Sequence, residues 1–487
     1  MEEKRLFLAI LFSLLLITVW HYYSVSRLYH IEKPKVMIQN SLPISPSVFE
    51  ETVEWNKDFL VFNPLEGSLR KAIFNDYPQE VFLLEKAFLL SGTNLYWQRE
   101  IQKEWPVFIY EDEKKRITKE FIFSSKFLNY MELKIKMQNL VSFPQEIDFS
   151  LISKEINWEN LKSEEARFWE VLFNQKEKNI RFSPRRDFKI ENIDFLGIRN
   201  RHFCLIIEPE VKEFQGFIRK LNNSQFQIGF YKKLLLSPQE KKELNFYIYL
   251  GPQNLEKISS LNNKWSQIIY YGFFNEISRP ILGLLKLFYK LLHNWGLAII
   301  CLSIFIYFLL YPLSLKQFTA MKKMQILQPQ IEEIKKTYQK DSQRLNREIL
   351  TLYRKEGVNP LGGCLPLILQ IPIFFALYQG LIRFIEIKGK SFLWIKDLAE
   401  PDKMIKMIIL GKQININILP VLLVLVMFFQ QRKSQITSSI HLESQRMMSF
   451  VFPVILGMVF YSLPSALVLY WLINSILMYI FQFKKLK

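Results

Sequence analysis

WGLAIICLSIFIYFLLYPLSLKQFTAMKKMQILQPQIEEIKKTY, residues 295–338, changes character half-way along. As far as Leu313 it is apolar and uncharged. A helix of that length covers about 28 Å, close to the roughly 30 Å hydrocarbon core of a bilayer. Beyond it, Met324, Leu327, Ile331, Ile334 and Tyr338 recur at spacings of three, four, three and four, with lysines between them. That is the stripe of an amphipathic helix standing in water. Leu345, Ile349 and Leu352 repeat it after a polar turn at Gln339–Ser342, where Asp341 or Ser342 can cap a second helix. An antiparallel helical hairpin over 314–360 follows. Ten Lys or Arg fall within Ser314–Asn359, which puts the hairpin on the cytoplasmic side of a membrane.

Working outward, five more segments are apolar enough to cross: Leu6–Tyr23, Leu361–Phe384, Ile414–Gln430, Phe450–Leu463 and Ser465–Phe483. The first is long for a signal peptide and continues through His21-Tyr22-Tyr23, so a retained anchor (1–23) is expected. Lys4 and Arg5 place its start in the cytoplasm, and Arg432, Lys433, Arg446, Lys484, Lys485 and Lys487 place two later segments there too. The external loop Ile385–Gln413 runs against this rule with six lysines, interleaved with Glu386, Asp397, Glu400 and Asp402. Six spans with both termini inside satisfy more of the charges than any other arrangement.

Between the first two spans, residues 24–275 form a separate polar domain. Period-two alternation in Met131–Met137 and Gln225–Ile228 reads as half-buried strands, and Leu244–Leu250 as a strand covered on both faces. An antiparallel β-sandwich over about 45–255 is expected. From Ile281 the period becomes helical, with Ile281, Leu284, Leu285, Phe288, Leu292 and Trp295 on one face, Lys286, Lys290 and His293 on another, and Pro280 in the first turn. Residues 276–294 are read as an amphipathic helix in the outer bilayer interface, with packing on the β domain as the alternative.

The net charge of +18 is dispersed around membrane segments, which suits orientation and lipid contact rather than sequence-specific nucleic acid. Cys204, Cys301 and Cys364 form no C-x-x-C pair, and the five histidines (His21, His30, His202, His293, His441) are scattered, so neither metal nor cofactor is implied. No GxxxxGK[ST], HExxH or GxSxG motif is present, and nothing points to catalysis.

YPLSLKQFTAMKKMQILQPQI at Tyr311–Ile331, NPLGGCLPLILQIPIFFALYQ at Asn359–Gln379, LPSALVLYWLINS at Leu463–Ser475 and NWGLAII at Asn294–Ile300 resemble, in order and spacing, the signatures of the YidC/Oxa family of membrane insertases. The likeness covers 270–487. FLGIRNRHFCLIIEP (195–209) and YIYLGPQNLEKI (247–258) resemble the periplasmic domain of its Gram-negative members more thinly. The resemblance implies a polytopic α-helical inner-membrane protein of six spans, five of them an insertase core (295–487), plus a periplasmic antiparallel β-sandwich. It implies insertion and folding of nascent membrane proteins through a hydrophilic groove open to cytoplasm and lipid. Implied partners are the Sec translocon, membrane lipids, and the ribosome or signal recognition machinery at the hairpin. Action only as an accessory factor of the Sec translocon, and solute transport, stay open as alternatives.

Seven residues are expected at the groove. Ser303, Tyr307 and Tyr311 recur every four residues on the second span, though Tyr311 also suits an interfacial belt. Gln370, beside Pro372, either lines the groove or holds helices together. Tyr470, Trp471 and Asn474 lie on the last span, where the resemblance implies substrate contact for the aromatic pair and bundle packing is the alternative. Most family members carry an arginine four residues before the Tyr-Pro pair; this chain has Tyr307. An arginine at mid-membrane costs about 2.5–3.5 kcal/mol on insertion scales, so its replacement removes a functional charge and disfavours acidic substrate flanks. Lys316 and Lys322 are the remaining rim cations expected to attract such flanks.

Overall fold

The computed structural model describes residues 50–486 apart from 78–80, 92–96, 101–104, 160–165, 340, 358–364, 404, 410–411 and 437–442; the expected anchor at 1–23 and Cys364 lie outside them. The chain divides into two compact units at Tyr270/Tyr271.

The first unit is built of antiparallel strands. β1 (Glu51–Trp55), β2 (Asp58–Asn63), β3 (Ser68–Ile73) and β4 (Val81–Ala87) pair in sequence into a four-stranded sheet. There follow β5 (Leu89–Leu90), β6 (Gln98–Arg99), β7 (Val107–Glu111), β8 (Lys115–Phe123), β9 (Tyr130–Asn139), β10 (Gln145–Asn157), β11 (Glu170–Gln175), β12 (Lys178–Phe182), β13 (Phe188–Ile190), β14 (Phe195–Arg199), β15 (Phe203–Pro209), β16 (Gln215–Lys220), β17 (Gln225–Leu236) and β18 (Lys241–Pro252). They make a five-stranded sheet, β13-β16-β17-β10-β5, and a nine-stranded one, β12-β11-β14-β15-β18-β9-β8-β7-β6. The four-stranded sheet is the addition to the expected two-layer sandwich.

Alternation works as the sequence suggests. On β9, Met131, Leu133, Ile135 and Met137 are buried while Glu132, Lys134 and Lys136 turn outward. On β18 alternation gives way after Tyr247 to an unbroken buried run, because its last residues are covered on both sides. Phe149, Phe230 and Phe246 interlock the five- and nine-stranded sheets, with ring centroids 5.7–6.2 Å apart.

Two buried lysines tie the four-stranded sheet to the others. Lys119 on β8, fully buried, donates from Nζ to the carbonyls of Gly67 and of Phe88 (3.1 Å) and sits 4.0 Å from the Trp97 ring. Lys154 on β10, 3% exposed, donates to the carbonyl of Leu83 on β4 (2.6 Å) and sits 4.4 Å from the Trp169 ring. Burial pushes both ammoniums down to about 7; Glu66 beside the first, and Glu85 and Glu155 beside the second, oppose the shift without overcoming it.

The second unit is helical. After a short helix that closes the β unit, α1 (Leu255–Leu261), come α2 (Asn275–Leu292), α3 (Trp295–Ile326), α4 (Gln328–Thr337), α5 (Ser342–Lys355), α6 (Leu365–Leu381), α7 (Ile418–Ile436), α8 (Glu443–Phe460) and α9 (Ser465–Leu486). Helix α2 begins five residues before Pro280, so the proline stands in its second turn rather than its first. Leu282 and Leu285 bury into the helical core, with Ile281, Leu284 and Phe288 packed alongside, while Leu287 and Leu291 are exposed. The hairpin forms as α4 and α5: Leu327 and Ile331 are buried against Ile349, Leu352 and Tyr353, and Asp341 caps α5 by accepting from the Arg344 N–H at 3.0 Å.

Among the described residues, one helical stretch, Trp295–Leu315, is long and apolar enough to cross a membrane; Ile418–Gln431, Val451–Phe460 and Ser465–Phe481 are shorter apolar helices. The fourth span, expected from Ile414, instead starts as a helix at Ile418, because Lys412–Ile416 pairs with Ile405–Ile409 in a two-stranded hairpin. Phe305, Phe308 and Leu309 on α3, and Val421, Leu425 and Phe429 on α7, form exposed apolar rows suited to hydrocarbon rather than water.

Candidate functional site

The helical unit is stitched shut at one end. Asp402 accepts from the Leu419 N–H at the start of α7 (2.8 Å), and Asn417 accepts from Lys403 N–H (3.0 Å) while donating to the carbonyl of Tyr461 (2.6 Å). The Glu400 carbonyl accepts from the N–H (2.9 Å) and hydroxyl (2.7 Å) of Ser465 at the start of α9. Lys388 bridges Glu400 (2.9 Å) and Asp397 (3.8 Å), and Lys286 bridges Glu386 (2.7 Å).

Away from that end, five helices converge on a cavity of about 230 Å³. Helix α3 supplies Tyr307 and Ser314, α6 Gln370, α7 Met427 and Gln430, α8 Phe452, and α9 Trp471, Asn474, Ser475 and Met478. Asn474 lies nine residues into α9, roughly 14 Å from the sealed end. The lining is largely apolar, from Leu310, Leu313, Met427, Phe452, Trp471 and Met478, with uncharged amides and hydroxyls set into it and no charged side chain.

Of the expected residues, Tyr307, Gln370, Trp471 and Asn474 meet at this cavity. The other three stand apart from its lining. Ser303 is fully buried and its hydroxyl donates to its own helix at Ile299 (2.7 Å). Tyr311 lies against Phe481, ring centroids 5.6 Å apart. Tyr470 is fully buried behind the cavity, where its hydroxyl accepts from Gln370 Nε2 at 2.8 Å. The reason is rotational: at about 100° per residue, steps of four drift by about 40° each, and neighbours such as Tyr470 and Trp471 point about 100° apart. Trp471 takes the cavity side, edge-on to Phe374 (5.2 Å, 88°).

Ser314, Met427, Gln430, Phe452, Ser475 and Met478 were not singled out for the groove from sequence. Alternating steps of three and four would have found Ser314 from Tyr307 and Met478 from Trp471, since they stay on one face. Gln430 and Gln431, closing an apolar run, were a further signal. Lys322 is exposed, and the side chain of Lys316 lies outside the described residues.

A family model described as "60Kd inner membrane protein" matches residues 287–485, and one described as "YidC periplasmic domain" matches residues 107–284. A protein of Endomicrobium trichonymphae named "Membrane protein insertase YidC" is 33% identical over 382 residues, 76% of this chain and 70% of that protein. The chain belongs to the YidC family of membrane protein insertases. A YidC insertase of Geobacter metallireducens is 37% identical over 248 residues, 51% of this chain and 44% of that protein. A crystal structure described as an active YidC insertase with its first transmembrane domain resolved aligns with 89% of this chain and 92% of its own, at 20% identity and a TM-score of 0.44. YidC proteins insert membrane proteins in the inner membrane and are not a family of catalysts; residues 107–284, which include most of the β unit here, match their periplasmic domain.

Proposed function

We propose that this chain inserts newly made membrane proteins through the five-helix cavity, working from the cytoplasmic side and able to act without another channel. The observation that carries this is the meeting of α3, α6, α7, α8 and α9 on one cavity, largely apolar but carrying uncharged amides and hydroxyls, while the loop 385–403 ties one end shut. Transfer of an apolar helix from water to hydrocarbon is strongly favourable and needs no nucleotide. The barrier is the polar flank that must cross with it, and amides and hydroxyls part-way across lower that barrier.

In this reading the chain spans the membrane six times with both termini cytoplasmic, and 276–294 lies in the outer interface. The hairpin α4–α5 faces the cytoplasm, where the ribosome or signal recognition machinery docks, and the Sec translocon is a lateral partner. Tyr307, Gln370, Trp471 and Asn474 contact the passing segment, with Tyr470 holding Gln370 from behind. The test is protease protection of a short single-span protein with a small translocated tail, added to liposomes containing only this chain. Protection above empty liposomes, lost in the Tyr307→Ala, Trp471→Ala double variant, is expected. No protection by correctly folded protein refutes independent insertion and leaves an accessory role beside the Sec translocon.

A further inference from the structure

Among the described residues lining the cavity, one has a fully buried polar atom with nothing to bond. Tyr307, which lines the cavity, is 4% exposed, and its buried hydroxyl has no hydrogen-bond partner. The donors around it are committed elsewhere. Gln370 Nε2 donates to the Tyr470 hydroxyl (2.8 Å), Asn474 Nδ2 to the carbonyl of Tyr470 (2.9 Å), and Gln430 Nε2 to the Met478 sulfur (2.8 Å). A buried hydroxyl left unsatisfied is costly, so this one favours whatever enters with a complementary atom. Its ring is held in place against Phe481 and Tyr311, at centroid separations of 5.6 and 6.0 Å, so the hydroxyl beside the cavity stays at a fixed point.

The second observation concerns charge. None of the described residues lining the cavity is ionisable near neutral pH, so a carboxylate or ammonium brought inside finds no counter-charge there. An unpaired charge in such surroundings is strongly disfavoured, whichever its sign. A neutral amide or hydroxyl, by contrast, can accept from Tyr307 and costs far less to take from water than a charge does. The space, nearly eight times the roughly 30 Å³ that a water molecule occupies in the liquid, has room for a small polar side chain.

Resting on the insertion route proposed above, we infer that the cavity selects an uncharged hydrogen-bonding group of the translocated flank, the amide of Asn or Gln or the hydroxyl of Ser or Thr, through the Tyr307 hydroxyl. Flank neutrality, rather than flank acidity, is then the specificity of this chain.

The experiment uses liposomes carrying the full chain and four test proteins that differ at one flank position: Ala, Asn, Asp or Lys. Protease protection of the tail is read for the wild type and for Tyr307→Phe, which removes the hydroxyl and keeps the ring. The wild type is expected to protect the Asn flank about tenfold better than its near-isosteric Asp counterpart, and better than Lys by a similar factor. The Asn-to-Ala ratio is expected to fall about fivefold in Tyr307→Phe, the value of one neutral hydrogen bond. Equal protection of Asp and Asn flanks overturns the inference, as does an Asn-to-Ala ratio unchanged by Tyr307→Phe. If the Ala-flanked protein is itself not protected by the wild type, the insertion route fails and the inference falls with it; if it is protected and the ratios fail, only the assignment of the cavity is lost.

Discussion

Replacing Lys154 by methionine should halve the pH dependence of the β domain's stability above neutrality. Lys154 and Lys119 titrate at about 7 in the folded protein against 10.5 for a free lysine, because burial penalises the ammonium. A folded-state pKa below the unfolded one means that the unfolded chain binds more protons between the two values. Above 10.5 both states are neutral and the full stability is present. As pH falls from 10.5 toward 7, only the unfolded chain gains the proton, so stability is lost at up to about 1.4 kcal/mol per pH unit per lysine; below 7 both states are protonated and the contribution is flat. Between pH 9 and 7 each lysine therefore removes about 2 kcal/mol, and the pair about 4, a large part of the roughly 5–15 kcal/mol by which domains are stable.

Methionine keeps an unbranched apolar stem and a thioether beside the Trp169 ring, but leaves the Leu83 carbonyl without its donor. The variant should thus be weaker than wild type by about 1–3 kcal/mol at pH 9, with the gap closing toward pH 7 as the wild type loses its own stability. Amide hydrogen exchange of the full chain in detergent, followed by mass spectrometry on peptides covering β4 and β8 and corrected for intrinsic rates, reads this directly. A wild-type protection that is flat between pH 7 and 9, or a slope that Lys154→Met leaves unchanged, would refute the reasoning.

Two further outcomes follow from packing within the helical unit. Gln370→Leu and Tyr470→Phe should each weaken it modestly, and a double-mutant cycle should give a coupling of about 0.6 kcal/mol, typical of hydrogen bonds between membrane helices; additive single effects in detergent unfolding would show that the 2.8 Å contact carries no energy. Gly457→Val should cost about 1–3 kcal/mol in the same assay, since even a Cβ there would stand 2.3 Å from Val424 Cγ2 and force α8 away from α7. A neutral result would mean that the two helices separate freely at that point.

The fold was legible where burial leaves a period in the chain. Alternation on β9, the three-four stripe of Leu327, Ile331, Ile349 and Leu352, and the Asp341 cap could all be read because each element has one dry face and one wet one. The four-stranded sheet was not legible as a third layer. What joins it to the others includes Lys119 and Lys154, whose type reads as exposed; their burial depends on carbonyls of Gly67, Phe88 and Leu83 that are distant in sequence. The start of α2 at Asn275 falls within one residue of the expected 276, and only the turn that holds Pro280 differs: the chain before the proline already closes hydrogen bonds such as Ser278 N–H to the Phe274 carbonyl (2.9 Å).

The site was harder, and for a physical cause. A helix apolar on every side has no moment to say which face meets its neighbours, so polar residues are the only markers of rotation. On α3, Ser303 and Tyr307 were such markers, yet a serine can satisfy its hydroxyl on its own preceding turn, as Ser303 does at Ile299, and then says nothing about a groove. A buried tyrosine cannot reach back that way. Tyr307 could only have been satisfied by another helix or by something absent, and it is the former that the packed neighbours fail to supply. On α9 the same reasoning separates two adjacent aromatics: Tyr470, whose hydroxyl is met by Gln370, belongs to the scaffold, while Trp471 and Asn474 turn into the space that Tyr307 faces. The most informative residue in a membrane cavity is thus a buried polar group that its own protein leaves unanswered.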